Sequence, residues 1–352
     1  MIKNEKVMKE QKNKKKKSFL KKIIIKIIRK LGFEVVDQQN YSLLGSNQDL
    51  HQSHSIPGAK SLVIPMGSID IKKKITNLLI IFRSCTSTNI MDQNKQRLFE
   101  HEKKEYTFRS LNSILKSVSA AKKKFTNTNF KIFITDSGSP KKDLDYIKKI
   151  LNFYKEIPSE LMIINYEDFL DKINNKNYSK SKLSNMSNFY KSLELSKELG
   201  EDLIYFVEDD YIHKEIAIEE MLFSYEKFAT ILNEELILLP ADYPYLYSKK
   251  ENTQILIGNQ RHWRKVNESL VTFLTSKKII DEYWSQLIEM ASHWSDPWEQ
   301  TLHKIYENKN CFSPIPSLSM HCANINSIFG IPPNYNWKEN WNESLIKIDG
   351  TN

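Results

Sequence analysis

Glu208, Asp209 and Asp210 are the residues of this chain with the most evident chemistry. They end an apolar run, Leu203-Ile204-Tyr205-Phe206-Val207, whose length and β-branched and aromatic content are those of a buried parallel strand. Acids at the carboxyl end of such a strand lie where open α/β sheets bind ligands. Three adjacent carboxylates repel one another until a cation or solvent neutralises them. Hard oxygen ligands suit Mg²⁺ or Mn²⁺, which can in turn hold a diphosphate. The competing reading is a strand that runs into a solvated acidic turn.

The elements that must position these acids lie upstream. Residues 77–82 (NLLIIF) form an apolar strand pattern ending in Arg83-Ser84-Cys85-Thr86-Ser87. A helix is expected from about 108, with Leu111, Ile114, Leu115 and Val118 in register. Residues 130–135 form a second strand pattern, ending in Asp136-Ser137-Gly138-Ser139-Pro140, and a helix follows with Leu144, Ile147, Ile150 and Leu151 on one face. A short strand (161–164) and a helix (about 185–199) lead into the acidic strand. Strands alternating with helices in this order describe an α/β fold with a mostly parallel, doubly wound sheet.

With these motifs in this order, the chain resembles the glycosyltransferases of the GT-A fold, especially the inverting family 2. The resemblance spans roughly 76–330 and rests on Asp136-Ser137-Gly138-Ser139, which matches an Asp-x-Gly-Ser-type turn, and on Glu208-Asp209-Asp210, which matches the acidic Asp-x-Asp-type motif. It implies transfer of a sugar from a nucleotide-sugar donor, expected to be a UDP-sugar, to a glycan or lipid-linked acceptor. It implies a divalent metal ion, Mn²⁺ or Mg²⁺, as cofactor. Arg83, Thr86, Asp136, Glu208 and Asp209 would meet the donor, and Asp210 would carry the metal. Glu208 replaces the first Asp of the motif, which makes Asp210 the safer ligand. His321, in a C-terminal segment, would close the metal site. The family places its catalytic base at the start of a helix here, so Glu299 or Asp296 would take the acceptor proton. Glu299 is preferred because it stands in the expected first turn, beside Trp298. A helix-capping acid is the alternative for either residue.

The C-terminal half is expected to bind the acceptor. A strand over 235–240 precedes Asp242 and Tyr243, and two hairpin-like strands carry His262, Trp263 and Arg264. Aromatic and guanidinium groups of this kind stack on sugar faces and pair with phosphate. These residues and Trp298 form the expected acceptor set, with an ordinary aromatic core as the alternative. A helix is expected over about 277–293.

Charge divides the chain. Its formal net charge is +9, but residues 1–30 hold thirteen basic residues against two acids, so they carry +11 and the remainder −2. That balance argues against a nucleic-acid-binding body, and no nucleic-acid partner is expected. Within 19–33 the apolar residues are interrupted by cations, which excludes an ordinary spanning helix. A basic amphipathic helix lying on an anionic membrane surface fits better. A cytoplasmic, peripherally membrane-associated protein is therefore expected, and Cys85, Cys311 and Cys322 show no metal motif or even disulfide framework. The expected organisation is a basic tail (1–33), a linker or small subdomain (34–75), a catalytic domain (76–333) and a C-terminal tail (334–352). Within the domain, 76–211 would bind the donor and 212–333 the acceptor. The polar 34–75 segment includes His51 and His54, read as surface residues. Two other function classes remain: a nucleotidyltransferase-like enzyme, and a non-catalytic membrane-surface binding module.

Overall fold

The computed structural model describes residues 19–33, 56–63, 67–87, 99, 101–174, 177–248, 253–323, 325 and 327–346. His51, His54 and most of the basic tail lie outside these residues. The chain forms two compact units, Met1–Leu44 and Gly45–Asn352. In the first, the described element is helix α1 (Phe19–Lys30), ended by Gly32 at φ +84°, a left-handed conformation that favours glycine.

The second unit opens with an antiparallel hairpin, β1 (Lys60–Val63) and β2 (Gly67–Asp70). Glu226 fixes the chain on either side of it, accepting from the backbone N–H of Gly58 at 2.7 Å and of Ile75 at 3.1 Å. The main body follows as β3 (Asn77–Ser84), α2 (Lys103–Lys122), β4 (Asn129–Asp136), α3 (Lys141–Phe153), β5 (Ser159–Ile163), α4 (Lys180–Leu199) and β6 (Leu203–Glu208). Beyond it come β7 (Tyr211–His213), α5 (Ala217–Leu232), β8 (Ile237–Leu238), β9 (Ile255–Ile257), β10 (His262–Lys265) and β11 (Phe273–Ser276). The chain continues through α6 (Lys277–Glu282), α7 (Trp284–Ser292), α8 (Gln300–Asn308), β12 (Cys311–Ile315), β13 (Ser319–His321) and α9 (Trp337–Glu343).

One nine-stranded sheet has the order β5-β4-β3-β6-β11-β8-β12-β10-β9. The α/β, doubly wound architecture expected from the sequence is present. Strands β5, β4, β3 and β6 are parallel, and beyond β6 antiparallel pairings mix with the parallel β8–β12 pair. The parallel strands are covered on both faces, which explains their near-continuous apolar runs. Ile80, Phe82, Ile132, Ile134, Tyr205 and Val207 face a core shared with Leu115 of α2, Ile147 of α3 and Met221 of α5. Their neighbours Leu79, Ile81, Phe133, Ile204 and Phe206 face the opposite core, with Phe189 of α4, Leu287 of α7 and Leu302 of α8. The alternation is the two-residue period of a strand.

Three departures from expectation matter for the site. Helix α2 begins at Lys103, one polar turn before its apolar register. The expected 277–293 helix is divided at Tyr283, whose φ −106° and ψ 20° depart from helical values. Strands β7 and β13 form a small antiparallel sheet that sets His321 opposite Tyr211, next to the acidic motif. The C-terminal segment packs through Trp341, which lies with Tyr106 of α2, Ile212 of β7 and Met320 of β13 in a third apolar cluster.

Candidate active site

Register alone brings the site together. Ser84 of β3 pairs with Asp136 of β4, and Arg83 of β3 pairs with Glu208 of β6. The three strands are parallel, so all three post-strand turns open at the same end of the sheet.

Asp136 is fully buried. Its carboxylate accepts from Ser84 Oγ at 2.7 Å, Ser139 N at 2.9 Å and Ser139 Oγ at 2.6 Å. Burial raises its pKa, the serine hydrogen bonds oppose the rise, and the charge of Asp209 adds to it. Asp136 is expected to meet the donor; in the structure its carboxylate has no exposed surface and ties the β3 and β4 turns together. Thr86 is also committed, through its N–H to Ser139 Oγ at 2.8 Å and its hydroxyl to Asp143 at 2.6 Å. Between these contacts Gly138 adopts φ +112°, and a Cβ there would be strained whatever the space around it.

The acidic motif divides by direction. Glu208 pairs with Arg83 Nη2 at 2.8 Å, and the Arg83 guanidinium lies 5.0 Å from the Phe189 ring centroid. Arg83 is buried, so it anchors Glu208 from beneath. Asp209 turns toward α2. It accepts from Thr107 Oγ1 at 2.8 Å and Cys85 N at 3.1 Å, and it pairs with Lys103. Asp210 Oδ2 lies 3.4 Å from His321 Nε2. Burial works to raise the Asp210 carboxyl, but His321 and Lys103 outweigh it and hold the pKa below the usual carboxylate range. Burial lowers the His321 imidazole, yet the Asp210 carboxylate raises it overall. Glu208 is raised, by burial first and then against the opposing Arg83, with the charges of Asp210 and Glu299 contributing.

Glu208 and Asp210 keep 26% and 20% of their side chains exposed, so they are the acids that face solvent. His321 Nδ1 lies 3.0 Å from the Phe329 carbonyl. A hydrogen bond donated there leaves Nε2 as the coordinating nitrogen of a neutral ring. Asp210 and His321 therefore fit a divalent cation as an oxygen and nitrogen pair. Among the described residues no group of three or more His, Cys, Asp or Glu is placed to hold a metal. A cation at this pair would complete its shell with substrate oxygens and water, as Mg²⁺ commonly does.

Glu299 is half-buried at the N-cap of α8, and its charge also acts on the buried Tyr243 hydroxyl together with those of Glu208 and Asp210. Asp296 is exposed in the preceding turn. The expected acceptor residues differ in exposure. Trp263 is fully buried and donates its indole N–H to Glu220 at 3.2 Å. Tyr243 is fully buried, with its hydroxyl 2.6 Å from that of Tyr211. Trp298 is buried and donates to the Met290 carbonyl at 2.8 Å. Asp242 and Arg264 form a buried ion pair beside Tyr247. All five are buried. His262 is exposed, but β10 is four strands from β6, a separation of roughly 19 Å at the usual strand spacing.

Sequence reasoning missed Lys103. Its ammonium meets Asp209 and helps lower Asp210, yet it stands in the polar first turn of α2, where no apolar period marks the helix. Trp294, half-buried, stacks on Trp298 with ring centroids 5.5 Å apart.

No protein-family model and no curated protein sequence matches this chain. Solved structures do show a likeness. The galactosyltransferase LgtC, in complex with donor and acceptor sugar analogues, is 14% identical over 65% of each chain, with a TM-score of 0.32. A UDP-glucose pyrophosphorylase complexed with UDP-glucose is 8% identical over 77% of this chain and 97% of that one, with a TM-score of 0.38. Glucosyl-3-phosphoglycerate synthase from Mycobacterium tuberculosis, in complex with Mn²⁺, UDP-glucose and phosphoglyceric acid, is 9% identical over 58% of this chain and 57% of that one, with a TM-score of 0.31. These likenesses are partial, and the functional reading rests on the chain's own residues.

Proposed function

We propose that this chain is a glycosyltransferase that moves a sugar from a nucleotide-sugar donor, with a UDP-sugar as the expected form, to a hydroxyl acceptor. The observation that carries the reading is the meeting of Asp210, His321, Lys103 and Glu208 at the carboxyl ends of parallel strands. That place in an open α/β sheet suits a nucleotide, and the mixture of acids and cations suits a diphosphate bound with a metal. Asp210 and His321 would hold the divalent cation, which would stabilise charge developing on the leaving diphosphate. Lys103 adds a fixed positive charge beside that position. Arg83 holds Glu208, and Asp136 holds the turns that shape the donor side.

Glu299 is the proposed base. A carboxylate ionised at neutral pH can take the acceptor proton as the hydroxyl attacks the anomeric carbon. Its influence on Glu208 and Tyr243 supports a place beside the donor site. Attack from the face opposite the leaving group would invert the anomeric configuration.

The test is turnover of a panel of nucleotide sugars with Mn²⁺, followed by release of nucleoside diphosphate. Release that requires an acceptor hydroxyl supports transfer. Formation of nucleotide sugar from a nucleoside triphosphate and a sugar phosphate would replace this reading with a nucleotidyltransferase. Absence of any turnover or nucleotide binding would leave a binding module.

A further inference from the structure

The geometry of α1 points to a second binding surface, and we propose that it docks this protein on an anionic phospholipid bilayer. The helix has no long uncharged apolar stretch, and no helix among the described residues is long and apolar enough to cross a membrane. Over 24–30 its residues are instead sorted by face, with Ile25 at the boundary. At about 100° per residue, Ile24, Ile27 and Ile28 fall within an arc of about 100°, while Lys26, Arg29 and Lys30 fall within a similar arc on the opposite side. Ile24 and Ile27 are 54% and 55% exposed, and Leu31 and Phe33 just beyond the helix are both 69% exposed. Four large apolar side chains held in water within ten residues mark a surface that is meant to be covered.

Charge selects the occupant. Residues 1–30 carry +11 while the remainder carries −2. A protein partner would have to combine an apolar groove with a strongly acidic rim. An anionic bilayer supplies both at once: an acyl boundary for the isoleucines and phosphate headgroups for the flanking cations. The depth suits this arrangement, because the cations on the far side have long aliphatic stems that let the charged heads reach the headgroup layer.

The surface uses none of the proposed active-site residues, so its test does not depend on turnover. Full-length protein is mixed with vesicles of neutral phosphatidylcholine and with vesicles containing anionic phosphatidylglycerol, and sedimented at low and physiological salt. Wild type should bind the anionic vesicles and leave the neutral ones largely free. Ile24→Asn, Ile27→Asn and Leu31→Asn together keep every charge and should abolish binding at physiological salt. Lys26→Gln, Arg29→Gln and Lys30→Gln together should weaken binding by about 10²-fold, since each basic residue near an anionic surface strengthens it by roughly fivefold. Unchanged vesicle binding by the asparagine variant overturns the proposal. So does an asparagine variant that loses self-association while wild type ignores vesicles, or wild type that prefers RNA to vesicles.

Discussion

Replacing Asp209 by alanine should destabilise the fold by about 3–5 kcal/mol, while replacing its neighbour Asp210 by asparagine should cost less, about 1–2 kcal/mol. The difference follows from what each carboxylate touches. Asp209 accepts from Thr107 Oγ1 and Cys85 N and pairs with Lys103, so it joins α2, the β3 turn and the β6 turn. Hydrogen bonds to a charged group contribute about 1.5–3 kcal/mol each, and two donors would lose their acceptor in a closed setting. The Lys103 ammonium loses an ion-pair partner as well. Asp210 is held by His321 and by the charge of Lys103, and its backbone carbonyl bond from Cys322 survives substitution. Its depressed carboxyl means that these attractions already outweigh the cost of burial, so asparagine loses a net attraction but leaves no backbone or hydroxyl donor without an acceptor. The assay is urea unfolding followed by tryptophan fluorescence, with ΔΔG taken from the shift in midpoint at constant slope. A loss below about 1 kcal/mol for Asp209→Ala, or an equal loss for Asp210→Asn, would refute the division into a scaffold acid and a ligand-facing acid.

Two further outcomes follow from other parts of the structure. Glu299→Gln keeps the shape and removes the basicity, so turnover should fall by about 10²–10⁴-fold with donor affinity nearly unchanged, as read from steady-state kinetics and nucleotide titration; the same loss in Asp296→Asn instead would move the base to that residue. Burial lowers the pKa of Lys227 to about 8 against an ordinary value of 10.5. Its folded state therefore sheds the proton first, and stability gained from it should rise as pH climbs from about 8 toward 10.5. Between pH 8 and 9.5 the stability of wild type relative to Lys227→Met should climb by up to about 1.4 kcal/mol per pH unit, and a flat difference in urea unfolding would contradict the assignment.

The parallel half of the fold, residues 76–211, was legible because local signals carried it. Buried parallel strands wrote themselves as apolar runs, and each run stopped where its turn opened on the site. What the sequence hid was set by distant partners. His321 meets Asp210 only through the β7–β13 pairing, which joins segments about a hundred residues apart. Asp136 looked like a ligand-facing acid because Ser84, which helps close it off, lies 52 residues earlier. Trp263 and Tyr243 looked like a sugar platform because aromatic type is shared by cores and binding faces. Trp263 is held in the core by Glu220, a buried acid on α5 that also accepts from the backbone of Asn259 and Gln260. Lys103 was hidden for a simpler reason, since a charged first turn has no periodicity to read.

The central claim is that Asp210 and His321 form the divalent-cation end of a nucleotide-diphosphate site. Calorimetric titration of UDP into wild type, Asp210→Asn and His321→Ala, each with Mn²⁺ and with a chelator, tests it most directly. The account predicts that Mn²⁺ strengthens binding to wild type by at least tenfold and that both variants lose this gain while remaining folded. Equal strengthening by Mn²⁺ in wild type and both variants would contradict it.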